Sequence, residues 1–199
     1  MKIDLHVHTS EYSRCAVSTE KEQIEAAIAK GLDGIAITDH AKQRSPERLR
    51  QLNKQYAPFK IFTGVEVNPV DTFEDVLIIG VPEMHKMNTY NWHYPQLHEF
   101  VRDRGGFIAL PHPFRWDTEV RTPVHKYPPD AIEAISVNIV KENTPRIQAF
   151  ARTLGVKTIV TSDSHQKKHV GANYIVLHNH VQTDAELVRE LQAGRYELG

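Results

Sequence analysis

His6 and His8 stand two residues apart in DLHVHT, where Ile3, Leu5 and Val7 alternate with Asp4, His6 and His8. On a β-strand that spacing turns both imidazoles to one face, close enough to chelate a single cation. Similar donors recur along the chain: Asp39 and His40 in TDH, Glu66 in GVEV, His112 between two prolines in PHP, and Asp163 and His165 in SDSH. Taken singly, most have a plainer use. HxH can be the polar face of a half-buried strand, TDH an Asx turn, PHP a loop and SDSH a helix cap. Glu66 resists such a reading, because a carboxylate inside an apolar run is costly without a cation beside it. Five strand ends carrying nitrogen and carboxylate donors, with no thiolate among them, point to a multinuclear metal site. Imidazole mixed with carboxylate fits Zn, Mn or Fe better than Mg or Ca. Two such ions could activate water and stabilise both oxygens of a displacement at phosphorus.

Elements must bring these donors together. The period-2 pattern of residues 2–8 predicts a strand, GIAIT at 34–38 a buried strand, and residues 60–67 and 76–79 two more. FIAL after Gly105-Gly106, TIVTS at 158–162 and NYIVL at 173–177 complete the set of expected strands. Thr19 with Glu22 forms a capping box for a helix over 20–30, Ser45-Pro46 opens one ending near Tyr56, and Pro95 to Asp103 forms a third. Thr144-Pro145 opens a further helix, and Thr183 with Glu186 caps the last. Strands alternating with helices predict an α/β fold with a mostly parallel sheet, either an open doubly wound sheet or a closed TIM-like barrel. Donors placed at the ends of several strands favour the barrel, whose active site sits at the C-terminal ends of its strands. No glycine-rich phosphate loop supports the open alternative.

Composition narrows the function. The 199 residues hold 24 Lys plus Arg against 25 Asp plus Glu, a net charge of −1, which argues against stable binding to DNA or RNA. With 40% hydrophobic and 25% charged residues, the chain reads as one globular domain over residues 1–199. No run is long enough to span a membrane, and MKIDLHVHTS lacks the apolar stretch of a signal peptide, so a cytoplasmic location is expected. The single Cys15 removes disulfides and thiolate-based zinc sites from consideration and leaves twelve histidines as the unusual feature.

In order along the chain, DLHVHT (4–9), TDH (38–40), GVEV (64–67), HPFR (112–115) and SDSH (162–165) resemble the motifs of the PHP (polymerase and histidinol phosphatase) family. The resemblance implies a distorted (β/α)7 barrel and a phosphoesterase centre with two or three divalent ions, Zn, Mn or Fe. By motif, it implies that His6, His8, Glu66 and Asp163 hold one ion, that Glu66 bridges to a second held with His112, and that His40 and His165 serve a third. Catalysis would rest on His6, His8, Glu66, His112, Asp163 and His165. Two positions depart from the family pattern. Arg14 stands where many members carry a histidine, and a guanidinium has no lone pair for a metal. No histidine follows Glu66 at the usual place, leaving His93 and Asp75, with His85 nearby, as candidates to complete the second site.

Basic residues after the motif strands, Arg14, Lys42, Arg44, Arg115, Lys167 and Lys168, make a local rim suited to a small anionic phosphate ester. Arg14 and Arg115 are the expected substrate-binding residues. Within phosphoesterases, a histidinol-phosphatase-like monoesterase, a nucleotide or oligonucleotide phosphodiesterase and a protein tyrosine phosphatase stay open. Amidohydrolase chemistry at carbon is a second class, although it ordinarily uses a bridging lysine where this chain has Glu66. A non-catalytic metal-binding accessory domain is the third.

Overall fold

The computed structural model describes all residues, Met1–Gly199. Nine strands and five α-helices run in the order β1 (Lys2–Val7), α1 (Glu20–Ala29), β2 (Gly34–Ile37), α2 (Pro46–Gln55), β3 (Lys60–Val67), β4 (Val76–Ile79), α3 (Tyr94–Asp103) and β5 (Phe107–Leu110). They continue as β6 (Ala131–Ile135), α4 (Thr144–Leu154), β7 (Lys157–Val160), β8 (Ile175–Leu177), α5 (Asp184–Ala193) and β9 (Tyr196–Leu198). Local chemistry sets the helix ends. Thr19 with Glu22 and Thr183 with Glu186 form complete capping boxes, and the Ser45 side chain caps α2 ahead of Pro46. Gly155 and Gly194 end α4 and α5 in the left-handed conformation that glycine adopts without penalty.

Strands β1 to β7 lie side by side in chain order. β1, β2 and β3 are mutually parallel, as are β5, β6 and β7, while β4 runs antiparallel to both its neighbours. The ring closes beyond β7, where Ser164 bridges to Val7 in parallel register and the His8 N–H donates to the Ser164 carbonyl at 2.8 Å. The other end of β1 pairs antiparallel with β8, and β9 then pairs with β8. The result is a distorted TIM-like barrel, nearly closed.

Two departures from simple strand and helix alternation have physical causes. Residues 68–75 are too few for the dozen-residue crossover that a parallel pair needs, so β3 returns as antiparallel β4. β6 and β9 were not expected from the sequence. AIEAI is rich in alanine and carries a glutamate, both depleted in strands, and β9 has only three residues.

One buried cluster draws on every ring strand, including Ile3, Leu5, Ala36, Phe62, Leu77, Phe107, Ala131 and Ile159, together with Leu187, Val188 and Leu191 of α5. Side chains from all the strands meet only inside the ring, so this cluster fills the barrel and α5 covers one end of it. Val7 belongs instead to an outer cluster with Ile24, Leu49 and Leu52 of α1 and α2. Its separation from Ile3 and Leu5 corrects the simple alternation read from residues 2–8. A register shift between Asp4 and Val7 changes the phase of the strand part-way along. No helix is long and apolar enough to cross a membrane.

Candidate metal centre

The C-terminal ends of β1, β2, β3, β5 and β7, with the residues just beyond them, bring His6, His8, His40, Glu66, His112, Asp163 and His165 to one place. His6, His8, Glu66, His112 and Asp163 are buried, whereas His40 and His165 are partly exposed at the mouth. The His6 and His8 Nε2 atoms lie 3.0 Å apart. Glu66 Oε1 is 3.4 Å from His6 Nε2 and 3.1 Å from His112 Nε2, and its Oε2 is 3.3 Å from His8 Nε2 and 3.0 Å from His40 Nδ1. Asp163 Oδ1 stands 3.5 Å from His6 Nε2 and 3.3 Å from His8 Nε2. Four overlapping sets of donors therefore converge: His6, His8 and Asp163; His6, Glu66 and His112; His40, Glu66 and Asp75; and His8, His40 and His165.

The far side of each central imidazole is already committed. His6 Nδ1 donates to Glu133 Oε1 at 3.0 Å. His8 Nδ1 donates to Ser13 Oγ at 3.1 Å, and that hydroxyl in turn donates to Asp39 Oδ1 at 2.7 Å. With Nδ1 protonated in each neutral ring, the two Nε2 atoms present lone pairs to each other. Such an approach needs a cation between the two nitrogens, a shared proton or a metal ion, and nitrogens on one tetrahedral Zn at about 2.0–2.1 Å stand about 3.3 Å apart. Glu66 Oε2 and Asp163 Oδ1 are buried without a hydrogen-bond partner and face the same space. The donor set fits divalent transition-metal ions.

Electrostatics agree. Burial alone would depress His8, but the facing carboxylates of Asp163 and Glu66 raise its pKa to about 9. Burial would likewise raise Glu66, yet the facing histidines, His6 foremost, hold it well below the usual carboxylate range. Burial, with Glu66 next to it, pushes Asp75 up to about 6. Burial and the neighbouring His8 bring His165 down to about 4. The interior field favours positive charge between Glu66 and Asp163, and the outer histidines favour the neutral form that metals require.

The backbone is unusual here too. The chain's positive-φ residues other than glycine are Ala41, His112, Phe114 and Asp163, at φ 56°, 30°, 65° and 47°. All four are ligand residues or close neighbours of them. Non-glycine residues held in that region cost on the order of 1–3 kcal/mol each and concentrate at functional sites.

Glu133 is the main residue that sequence reasoning missed. Fully buried on β6, it accepts from His6 Nδ1, from the His112 N–H at 3.0 Å and from the Thr161 hydroxyl. The available signal was the one that exposed Glu66, a carboxylate interrupting an apolar strand. Asn138 was missed as well; its amide donates to Asp163 Oδ2 at 2.8 Å and so turns Oδ1 toward the histidines.

The other expected residues divide between the centre and places outside it. His93 is not brought into the cluster: it is exposed at the start of α3, 3.3 Å from Asp71, because Pro95 and the α3 N-terminus fix its backbone outside. Asp75 is brought in, 3.9 Å from His112 Nε2. His85 Nδ1 donates to the Pro82 carbonyl and joins no donor set. Arg44 is not on the rim; it is buried against Glu20 at 2.7 Å and Asp39 at 2.6 Å. Asp39, held by Arg44, Thr9 and Ser13, has no oxygen left for a metal. Lys167 pairs with Glu22. Arg14 is exposed, and its neighbour Ser13 is the residue that turns inward. Arg115 reaches the centre, 3.8 Å from Asp163 Oδ2 and partly exposed.

Two cavities flank the cluster. One of about 230 Å³ is lined by His40, Ala41, Glu66, Asn68, Val70, Thr89 and Tyr90. A smaller one of about 50 Å³ lies beside His112, Arg115, Asn138 and Asn143.

Comparison with known structures finds the same architecture. A protein of Bacteroides vulgatus, described as "a two-domain protein containing predicted PHP-like metal-dependent phosphoesterase", superposes with a TM-score of 0.74 at 15% identity, over 100% of this chain and 64% of its own. The lesion-specific endonuclease PfuEndoQ of Pyrococcus furiosus gives 0.70 at 18% identity, over 99% and 57%. An amidohydrolase of Chromobacterium violaceum gives 0.64 at 17%, over 99% and 98%. This chain thus spans less than two thirds of the first two proteins. No curated protein matches its sequence. The PHP domain family matches residues 4–190, nearly the whole barrel and every donor of the cluster, and the chain belongs to that family.

Proposed function

We propose that this chain, as one PHP-like domain over residues 1–199, is a metal-dependent phosphoesterase that hydrolyses a phosphate mono- or diester. The observation that carries the reading is the pair of buried, unpartnered oxygens, Glu66 Oε2 and Asp163 Oδ1, facing the lone pairs of His6 and His8. His6, His8, Glu66 and Asp163 would hold one ion, Glu66, His112 and Asp75 a second, and His40 with His165 a third. When bound, Zn, Mn or Fe supplies Lewis acidity at a phosphoryl oxygen and lowers the pKa of water.

The chain's own residues do the rest. Glu133 and Ser13 fix the protonated nitrogen of His6 and His8, so that Nε2 stays a lone-pair donor. Asn138 orients Asp163. Arg115 stands at the open side of Asp163, where its guanidinium can donate to phosphate oxygens and neutralise charge that grows during displacement. Arg14, on the exposed loop after β1, adds a second cation for the substrate.

The substrate is a small anionic ester rather than a nucleic-acid polymer, since a net charge of −1 gives no general attraction to DNA or RNA. Glu66 at the bridging position, in place of a lysine, weighs against amide or lactone hydrolysis. The proposal places the enzyme in the cytoplasm.

Elemental analysis of gently purified protein tests the reading. At least two transition-metal ions per chain are expected. A content below about one ion, with no activity gained on adding Mn, Zn or Fe, overturns it.

A further inference from the structure

Glu66 presents its two oxygens to different sides of the centre, Oε1 toward His112 and Oε2 toward His40. The two sides differ in character. Beside His112 lies the small cavity with Arg115, Asn138 and Asn143, polar donors suited to an anion. Beside His40 lies the larger one, where Glu66 and His40 share a wall with Ala41, Val70 and Tyr90. Tyr90 is 71% exposed and Val70 52% exposed. Large apolar side chains left in water next to a hydrolytic centre hold favourable burial in reserve.

At about 230 Å³ the cavity is smaller than the 300 Å³ or more typical of drug-sized ligands, and it matches a single ring. Its polar edge is restricted. The Thr89 hydroxyl already donates to the Ala41 carbonyl at 2.6 Å, which leaves the Asn68 amide and the Tyr90 hydroxyl as the polar groups of the loop wall. Because one cavity is walled both by His40 and Glu66 and by Tyr90, a group bonded to whatever reacts at the centre can reach into it.

Resting on the phosphoesterase reading, we infer that the Tyr90 and Val70 cavity is a subsite for an aromatic ring carried by the phosphate ester, with Tyr90 as its stacking face. The phosphate lies toward Arg115 and the ring toward Tyr90, on opposite sides of Glu66. An aromatic pair prefers offset or edge-to-face contact and gains beyond its buried area. Tyr90 is then a specificity-determining residue.

Calorimetric titration of Mn-loaded protein with phenylphosphonate and methylphosphonate, in wild type and Tyr90→Ala, tests this without turnover. Phenylphosphonate should bind the wild type about tenfold more tightly or better, and Tyr90→Ala should lose most of that preference while binding methylphosphonate unchanged. Equal affinity of the two probes for the wild type, or a preference that survives Tyr90→Ala, overturns the ring subsite and leaves the phosphoesterase reading standing. Failure of both probes to bind overturns the two together. A Tyr90→Ala protein that changes its sedimentation but not its phosphonate preference would assign the face to a second copy of the chain and overturn the inference.

Discussion

At the scale of single residues, the account turns on lone pairs and carboxylates that have nowhere else to go. Glu66 faces four histidines, so Glu66→Gln should lose more than one ion's worth of metal in elemental analysis. Loss of stability with the metal content unchanged would instead mean that Glu66 only neutralises its neighbours. Glu133→Gln should weaken metal binding about 10–100-fold, because a neutral amide has one acceptor oxygen where the carboxylate accepts from both His6 Nδ1 and the His112 N–H. Unchanged metal affinity by calorimetry would deny it that role. His112→Ala and Asp163→Asn should each lower kcat strongly, and Arg115→Ala should chiefly raise KM if it holds ground-state phosphate.

Most of this set was legible in the sequence because the donors are chemically conspicuous at their strand ends. His112 and Asp163 stand out by type even without coordinates. Glu133 carried the same signal as Glu66, a carboxylate in an apolar run, but it went unread because the alanine-rich AIEAI does not read as a strand. Nor could spacing alone separate Asp75 from His93: both follow Glu66, and only the reversal of β4 brings Asp75 back beside His112.

At the scale of elements, the centre depends on how the ring is closed. Gln23 of α1 is fully buried at that seam. Its amide donates to the His8 carbonyl at 2.8 Å and accepts from the Ser164 hydroxyl at 3.1 Å, tying the end of β1 to the chain beyond β7. Gln23→Leu would take that donor from the buried His8 carbonyl, a cost of about 1–3 kcal/mol, while the Ser164 hydroxyl keeps the Gln166 carbonyl as its acceptor. Urea unfolding should show that loss, and metal affinity should fall with it as His8 and Asp163 loosen. A variant with full metal affinity would mean that closure at Ser164 does not set the ligand geometry. The helices could be read from caps and prolines because those signals are local. The antiparallel β4, the phase change in β1 and the presence of β6 are set by pairing across the barrel, which leaves only weak marks in the sequence.

For the whole molecule, metal and fold should be linked. Glu66, Asp75, Glu133 and Asp163 place four carboxylates around one small space, faced by His6, His8 and His112, and this donor set exists only in the closed barrel. Any ligand that binds only the folded chain stabilises it, by about 2.7 kcal/mol when present at a hundredfold excess over Kd. Exhaustive chelation should therefore lower Tm, and Mn or Zn should restore it; a Tm indifferent to chelator would contradict that linkage.

The most direct test of the central claim is the initial rate of inorganic phosphate release from a generic aryl phosphate, measured on chelator-treated protein before and after Mn or Zn is restored. The account predicts negligible release without metal, release that saturates with substrate once metal is returned, and loss of that release in Asp163→Asn. Metal-replete protein that leaves phosphate esters untouched while hydrolysing a lactone or cyclic imide would contradict it.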